Sequence, residues 1–97
     1  MVRVHKYTLV SYDIVKDNKR NKIVEELKYW GLKRFQYSVF MGYLSKKHFD
    51  NLVETLHNFD LSEKDKIYVF TLCKRCYNQS VFIGKEPILD KQEHLIL

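Results

Sequence analysis

Apolar and polar positions alternate along YTLVSYDI, Tyr7 to Ile14, with the period of two that predicts a β-strand. Leu9, Val10, Tyr12, Ile14 and Val15 all suit a pleated, buried surface. On such a strand Tyr7, Leu9, Ser11 and Asp13 share one face, and Val10, Tyr12 and Ile14 the other. The period then lengthens. Ile23, Val24, Leu27 and Trp30 fall on one face of a helix that begins near Asp17, its expected N-cap, and stops at Gly31, the usual residue just past a helix end. LKRFQYSVFMGYL is rich in aromatic and β-branched residues and reads as extended; it is long for one strand and divides near Gln36–Tyr37. Ser45 caps a second helix, in which Phe49, Leu52, Val53 and Leu56 recur at helical spacing and Phe59 continues the face. After a polar turn around Ser62–Lys64, KIYVFTL at 66–72 is a strand, SVFIG at 80–84 a weaker one, and HLIL closes the chain beyond Pro87.

Strands flanking two helices in this order predict an α+β fold: a ferredoxin-like βαββαβ sandwich with both helices on one face of an antiparallel sheet. The 97 residues make one domain, 1–97, with 86–97 as a C-terminal extension suited to pairing with a sheet edge, in its own chain or a neighbour's. Both faces of the sheet read as apolar. Tyr68, Phe70 and Leu72 oppose Ile67 and Val69, and Val39 and Met41 oppose Phe40. Two helices cover only one face, so the pattern predicts a homodimer that packs sheet face to sheet face.

Seventeen Lys and Arg against twelve Asp and Glu give a net charge of +5, which is compatible with a polyanionic partner and does not demonstrate one. The apolar runs fall far short of the roughly 20 residues a membrane helix needs. The first residues have no signal-peptide pattern, so a cytoplasmic, reducing setting is expected.

A carboxylate at the end of an apolar strand is a cap or a working group. Asp13 is expected on the sheet face away from the helices, where a twofold-related copy would bring a second carboxylate. Mg²⁺ takes oxygen ligands and commonly uses one or two carboxylates while keeping several waters. A shared Asp13 pair would therefore suit it and would activate water against a phosphodiester. The pattern leaves both readings open.

YDI at the strand end, the basic helix start KDNKRNK and above all RFQYSVFMG resemble the small CRISPR-associated endoribonuclease family of spacer acquisition, the second of the two universal adaptation proteins. The likeness runs in order from about Tyr7 to Leu72 and is loose beyond. It implies a ferredoxin-like homodimer with one Asp from each subunit facing across the interface, Mg²⁺-dependent endonuclease activity on RNA or DNA, and a bridging role between two dimers of the CRISPR integrase. By position, the metal-binding and catalytic Asp falls on Asp13, and the functional arginines fall on Arg20 and Arg34. The aromatic of SVF falls on Phe40, with Ser38 beside it, for base stacking or interface packing. Lys22 stands where Arg is frequent, keeping the charge and losing the bidentate fork. Lys16, Lys19 and Lys22 add charge that would hold a nucleic-acid backbone whatever its sequence.

Cys73-Lys-Arg-Cys76 has zinc-knuckle spacing but supplies only two of four ligands; the pair reads as strand-end cysteines, with a shared metal site or a redox pair as alternatives. His5, His48, His57 and His94 are scattered and read as surface or structural residues. Two further functions stay open: a non-catalytic DNA-binding scaffold between integrase dimers, and a ribonuclease toxin of related fold.

Overall fold

The computed structural model describes residues 5–84. In chain order the elements are β1 (His5–Asp13), α1 (Asp17–Tyr29), β2 (Lys33–Gln36), β3 (Val39–Ser45), α2 (Lys46–His57), β4 (Lys66–Leu72) and α3 (Lys74–Asn78). The four strands form one antiparallel sheet in the order β2-β3-β1-β4. Each of the helices α1 and α2 connects two strands that have a third strand between them, which is the split βαβ arrangement of a ferredoxin-like fold. HLIL and the rest of the expected C-terminal extension lie outside the described residues.

The period-two pattern of β1 sorts as expected. Val10, Tyr12 and Ile14 are buried with Ile23 and Leu27 of α1, Leu52 and Leu56 of α2, and Phe40 and Leu44 of β3. Each fully buried Ile or Leu here contributes about 1.5–3 kcal/mol, so this layer supplies most of the stabilisation. Ile67 and Val69 pack against the same core, whereas Tyr68 and Phe70 are exposed on the other face.

The helix ends explain why the elements start and stop where they do. Ser45 Oγ accepts the His48 N–H at 3.2 Å and so caps α2. The cap of α1 differs from expectation: Lys16 occupies it with no side-chain bond, and Asp17 is the first helical residue. There its carboxylate still favours the positive helix start, and it pairs with Arg20. At the other end, Gly31 has φ +97°, its N–H reaches the Lys28 carbonyl at 3.0 Å, and the Leu32 N–H reaches Leu27 at 2.9 Å. This Schellman pairing satisfies two carbonyls and turns the chain into β2. The expected division of the aromatic run is real: Tyr37 and Ser38 form the turn between β2 and β3, with a bulge between Arg34 and Gln36.

The segment after β4 departs from expectation. Residues 80–84 form no strand; a five-residue helix precedes them. Its Tyr77 is buried against Tyr7 and Met41 on the sheet face away from α1 and α2, with the Tyr7 and Tyr77 rings stacked at 4.0 Å. Farther along, Phe82 packs on Phe35 of β2, with ring centroids 5.3 Å apart. The chain thus covers part of the second sheet face itself. Tyr77 closes one half; the half around Ser11, Asp13, Tyr68 and Phe70 is not closed by any described residue. So short a helix is below the length that holds itself together, which is why its own sequence carries no clear signal of it.

Gly42 on β3 lies under the α1–β2 connection. A Cβ there would stand 3.1 Å from the Gly31 carbonyl oxygen and from Leu32 Cα, both backbone atoms that cannot swing away. Gly42→Ala is expected to cost about 1–3 kcal/mol by overpacking, and Gly31→Ala about 1–2 kcal/mol because of its positive φ. Urea denaturation of the two variants checks both, and an unchanged midpoint for Gly42→Ala would contradict the close approach.

Candidate functional site

Asp13, the loop after it and the basic start of α1 lie at the end of the sheet where β1 stops. Asp13 is the last residue of β1 and is exposed on the face away from α1 and α2. Its cross-strand partner is Lys66, the first residue of β4, so an acidic and a basic residue lie opposite one another on that face. Lys66 escaped the sequence reading because the pairing joins residues 53 positions apart, and nothing local announces it.

The loop after Asp13 is held by side chains. Arg20 Nη1 donates to the carbonyl oxygens of Ile14 at 2.8 Å and Val15 at 3.3 Å, while its other terminal nitrogen pairs with Asp17. The Val15 N–H donates to Asp65 Oδ1 at 2.9 Å, and the Ser62 N–H donates to Asp65 Oδ2 at the same distance. Asp65 is buried, and its carboxyl is held below its ordinary value of 3.8, first by the Ser62 N–H and then by that of Val15. The backbone just past Asp13 is therefore fixed by a cation on one side and an anion on the other, although it belongs to no helix or strand. Asp65 was also missed from sequence; an Asp before a strand reads as ordinary turn chemistry.

Arg34 sits opposite Phe40 in the β2–β3 register, its guanidinium 4.9 Å from the centre of that ring, and it donates to the Tyr37 carbonyl. The turn it steadies reaches β1, since the Ser38 carbonyl accepts the Tyr12 N–H at 3.2 Å. Phe40 itself is fully buried among the helices, so it offers no ring to a base or to a second subunit. The alternation along β3 decides this: Phe40 pairs with Val10, on the core side. Ser38, half-buried, contributes its backbone carbonyl to this turn.

Lys16 and Lys22 are exposed around the start of α1, and Lys19 lies 3.8 Å from Asp60. Asp17 and Asp60 thus offset part of the positive charge there. As a metal centre, one chain alone falls short. No group of three His, Cys, Asp or Glu side chains comes together among the described residues. Asp13 has the hard oxygen donors Mg²⁺ prefers, but a single exposed carboxylate does not hold it.

The family model described as "CRISPR associated protein Cas2" matches residues 6–80. The chain belongs to the Cas2 family. A relative from Methanospirillum hungatei, named CRISPR-associated endoribonuclease Cas2 1, is 33% identical over 92 residues, covering 94% of this chain and 97% of that protein. A crystal structure of a Cas2 protein superposes with a TM-score of 0.71 at 26% identity, over 88% of this chain and 92% of that one. A Thermoproteus tenax protein named as a fusion of the endonucleases Cas1 and Cas2 is 31% identical over 84 residues, covering 87% of this chain and 32% of that longer protein. The Cas2 match ends four residues before the last described position, so it includes α3 and Tyr77. No described helix is long and apolar enough to cross a membrane.

Because the Asp65 carboxyl titrates lower when folded than unfolded, its stabilisation is complete above the ordinary carboxylate range. It is lost as pH falls through that value toward the folded one. Asp65→Asn is expected to be less stable than the parent chain at neutral pH, with the gap closing below about pH 4. Urea midpoints from pH 3 to 7 test this, and a gap independent of pH would rule out the anionic clamp.

Proposed function

We propose that this chain works as a symmetric dimer whose two Asp13 carboxylates meet across the axis, forming a Mg²⁺-dependent endonuclease site for RNA or DNA. The observation that supports it is the position of Asp13: exposed, at a strand end, on the half of the sheet face that the described residues do not cover. Tyr68, 48% exposed, and Phe70, 55% exposed, stand on the same half. Two aromatics left half in water forfeit roughly half of the about 1.5–3 kcal/mol that full burial supplies, and a second copy of the same face is the simplest cover.

Two facing carboxylates supply the donors that one chain lacks. Magnesium, when bound there, would provide Lewis acidity and a more acidic water for attack on a phosphodiester. Lys66 beside Asp13, with Lys16 and Lys22 at the helix start, would hold phosphate oxygens without reading sequence. Arg20 and Arg34 would have a second part beside the expected phosphate contact. They fix the loop after Asp13 and the β2–β3 turn, and so position the site.

A second reading is a scaffold that bridges integrase dimers in spacer acquisition, binding DNA through the same basic surfaces. Two observations favour it: the Cas1–Cas2 fusion among the relatives, and the lack of a clustered acid–base group near Asp13 among the described residues. The toxin reading has no comparable observation in its favour.

Asp13→Ala separates the two readings. The enzyme reading expects metal-dependent cleavage to fall at least about 100-fold with folding and dimerisation intact, consistent with the several kcal/mol a metal site supplies. Parent activity should rise from pH 6 toward 9, as the attacking water gives up its proton more readily; cleavage by the variant at the parent rate would sink the assignment. Spacer acquisition that survives Asp13→Ala would identify the scaffold as the biological role.

The dimer has its own test. Phe70→Glu places a charge on the uncovered face twice over, once per subunit, and is expected to weaken self-association at least about tenfold, a change of 1.4 kcal/mol or more. Sedimentation equilibrium reads this directly. An unaltered association constant would put the interface elsewhere.

A further inference from the structure

Cys73 and Cys76 lie at the opposite end of β4 from Lys66 and Asp13, about 20 Å away along the strand. Both are exposed. Cys73 is the N-cap of α3, and its Sγ accepts the Cys76 N–H at 3.3 Å. The Cys73 sulfur therefore lies over the Cys76 amide within one helical turn, with the exposed Lys74 and Arg75 between the two cysteines in sequence.

Capping alone does not account for this. Sulfur is a weak acceptor, and Ser, Thr or Asp caps better. A cap also needs no second thiol, and Cys76 is not packed into a core. A metal site does not account for it either, because no third ligating side chain joins the pair among the described residues.

We propose that Cys73 and Cys76 are a reversible dithiol–disulfide pair, with Cys73 the attacking sulfur and Cys76 the resolving one, that exchanges with low-molecular-weight disulfides. The asymmetry comes from the geometry. The Cys76 N–H, then the Cys76 thiol, stabilise a thiolate on Cys73 and pull its pKa down from 9.0; the hydrogen bond to Cys73, then its charge, push that of Cys76 up. Attack falls to the sulfur that is more often ionised near neutral pH. The Cys73 thiolate attacks one sulfur of the external disulfide, forming a mixed disulfide and releasing one thiol. The Cys76 sulfur, giving up its proton, then displaces the second thiol and closes the Cys73–Cys76 bond. The two protein thiols are oxidised, the external disulfide is reduced to two thiols, and their protons end on the released molecules. The bridge spans the turn directly before Tyr77, so it fixes the short helix that covers half of the second sheet face.

The test uses the full reduced chain, equilibrated with graded ratios of reduced and oxidised glutathione, quenched with acid, alkylated and weighed by intact mass spectrometry. The expected result is a monomeric species lighter by two hydrogens that takes up no alkylating agent and reverts on reduction. Cys76→Ser should trap a glutathione adduct on Cys73 faster than Cys73→Ser traps one on Cys76, because the Cys76 N–H still stabilises the Cys73 thiolate while Cys76 has no such donor. Serine caps a helix as well as cysteine does, so both variants keep the helix, and their circular dichroism confirms it. Absence of the intrachain bridge at every ratio, cross-links between chains only, or equal trapping by the two variants would each overturn the proposal.

Discussion

The parity of β1 is the constraint on which the rest of the molecule depends. This strand is hydrogen bonded on both sides, to β3 from His5 to Ser11 and to β4 from Tyr7 to Asp13. Its alternate residues serve two different surfaces. Thr8, Val10, Tyr12 and Ile14 go beneath the helices, and Tyr7, Leu9, Ser11 and Asp13 go to the other face. A slip of one residue would exchange the two sets. It would push Asp13 into an apolar core, where an unpaired carboxylate costs far more than any single contact there returns. The exposure of Asp13 therefore follows from the burial of Val10 and Tyr12, because the same alternation produces both.

The second face is divided along its length. Toward the start of β1, Tyr77 and Phe82 fold back over Tyr7, Met41 and Phe35, and an apolar patch that reads as unsatisfied is in fact closed by its own chain. Toward the end of β1 nothing described covers Tyr68 and Phe70. The part of this face that the described residues leave open is smaller than the apolar pattern implies, and it is the half that carries Asp13.

Rigidity near Asp13 comes from charged groups used as backbone partners. Arg20 takes the carbonyls of Ile14 and Val15, Asp65 takes the Val15 N–H, and Arg34 takes the Tyr37 carbonyl. A loop without regular structure must satisfy its polar groups by some such means or leave them to water. Membership of the Cas2 family and the resemblance of the RFQYSVFMG run direct attention to these arginines as functional groups. Their bonding shows that they hold the backbone around Asp13, and Lys16, Lys22 and Lys66 are exposed nearby. Catalytic and scaffolding roles call on the same surfaces, which is why one carboxylate is the natural place to separate them.

Local patterns were enough for the elements and their faces. The alternation of Val10, Tyr12 and Ile14, the helical spacing of Ile23 and Leu27 or Leu52 and Leu56, the Ser45 cap and the Gly31 stop all act over a few residues, so their physics is written in neighbouring letters. The exposed position of Asp13 belongs with them, since parity alone decides it. What needed the folded chain were the pairings between distant segments: Lys66 beside Asp13, Asp65 on the Val15 amide, Phe40 turned inward by its register with Val10, and Tyr77 laid across Tyr7 by a helix too short to declare itself. Such contacts depend on strand register and crossover geometry, which emerge only when segments far apart in sequence settle against one core.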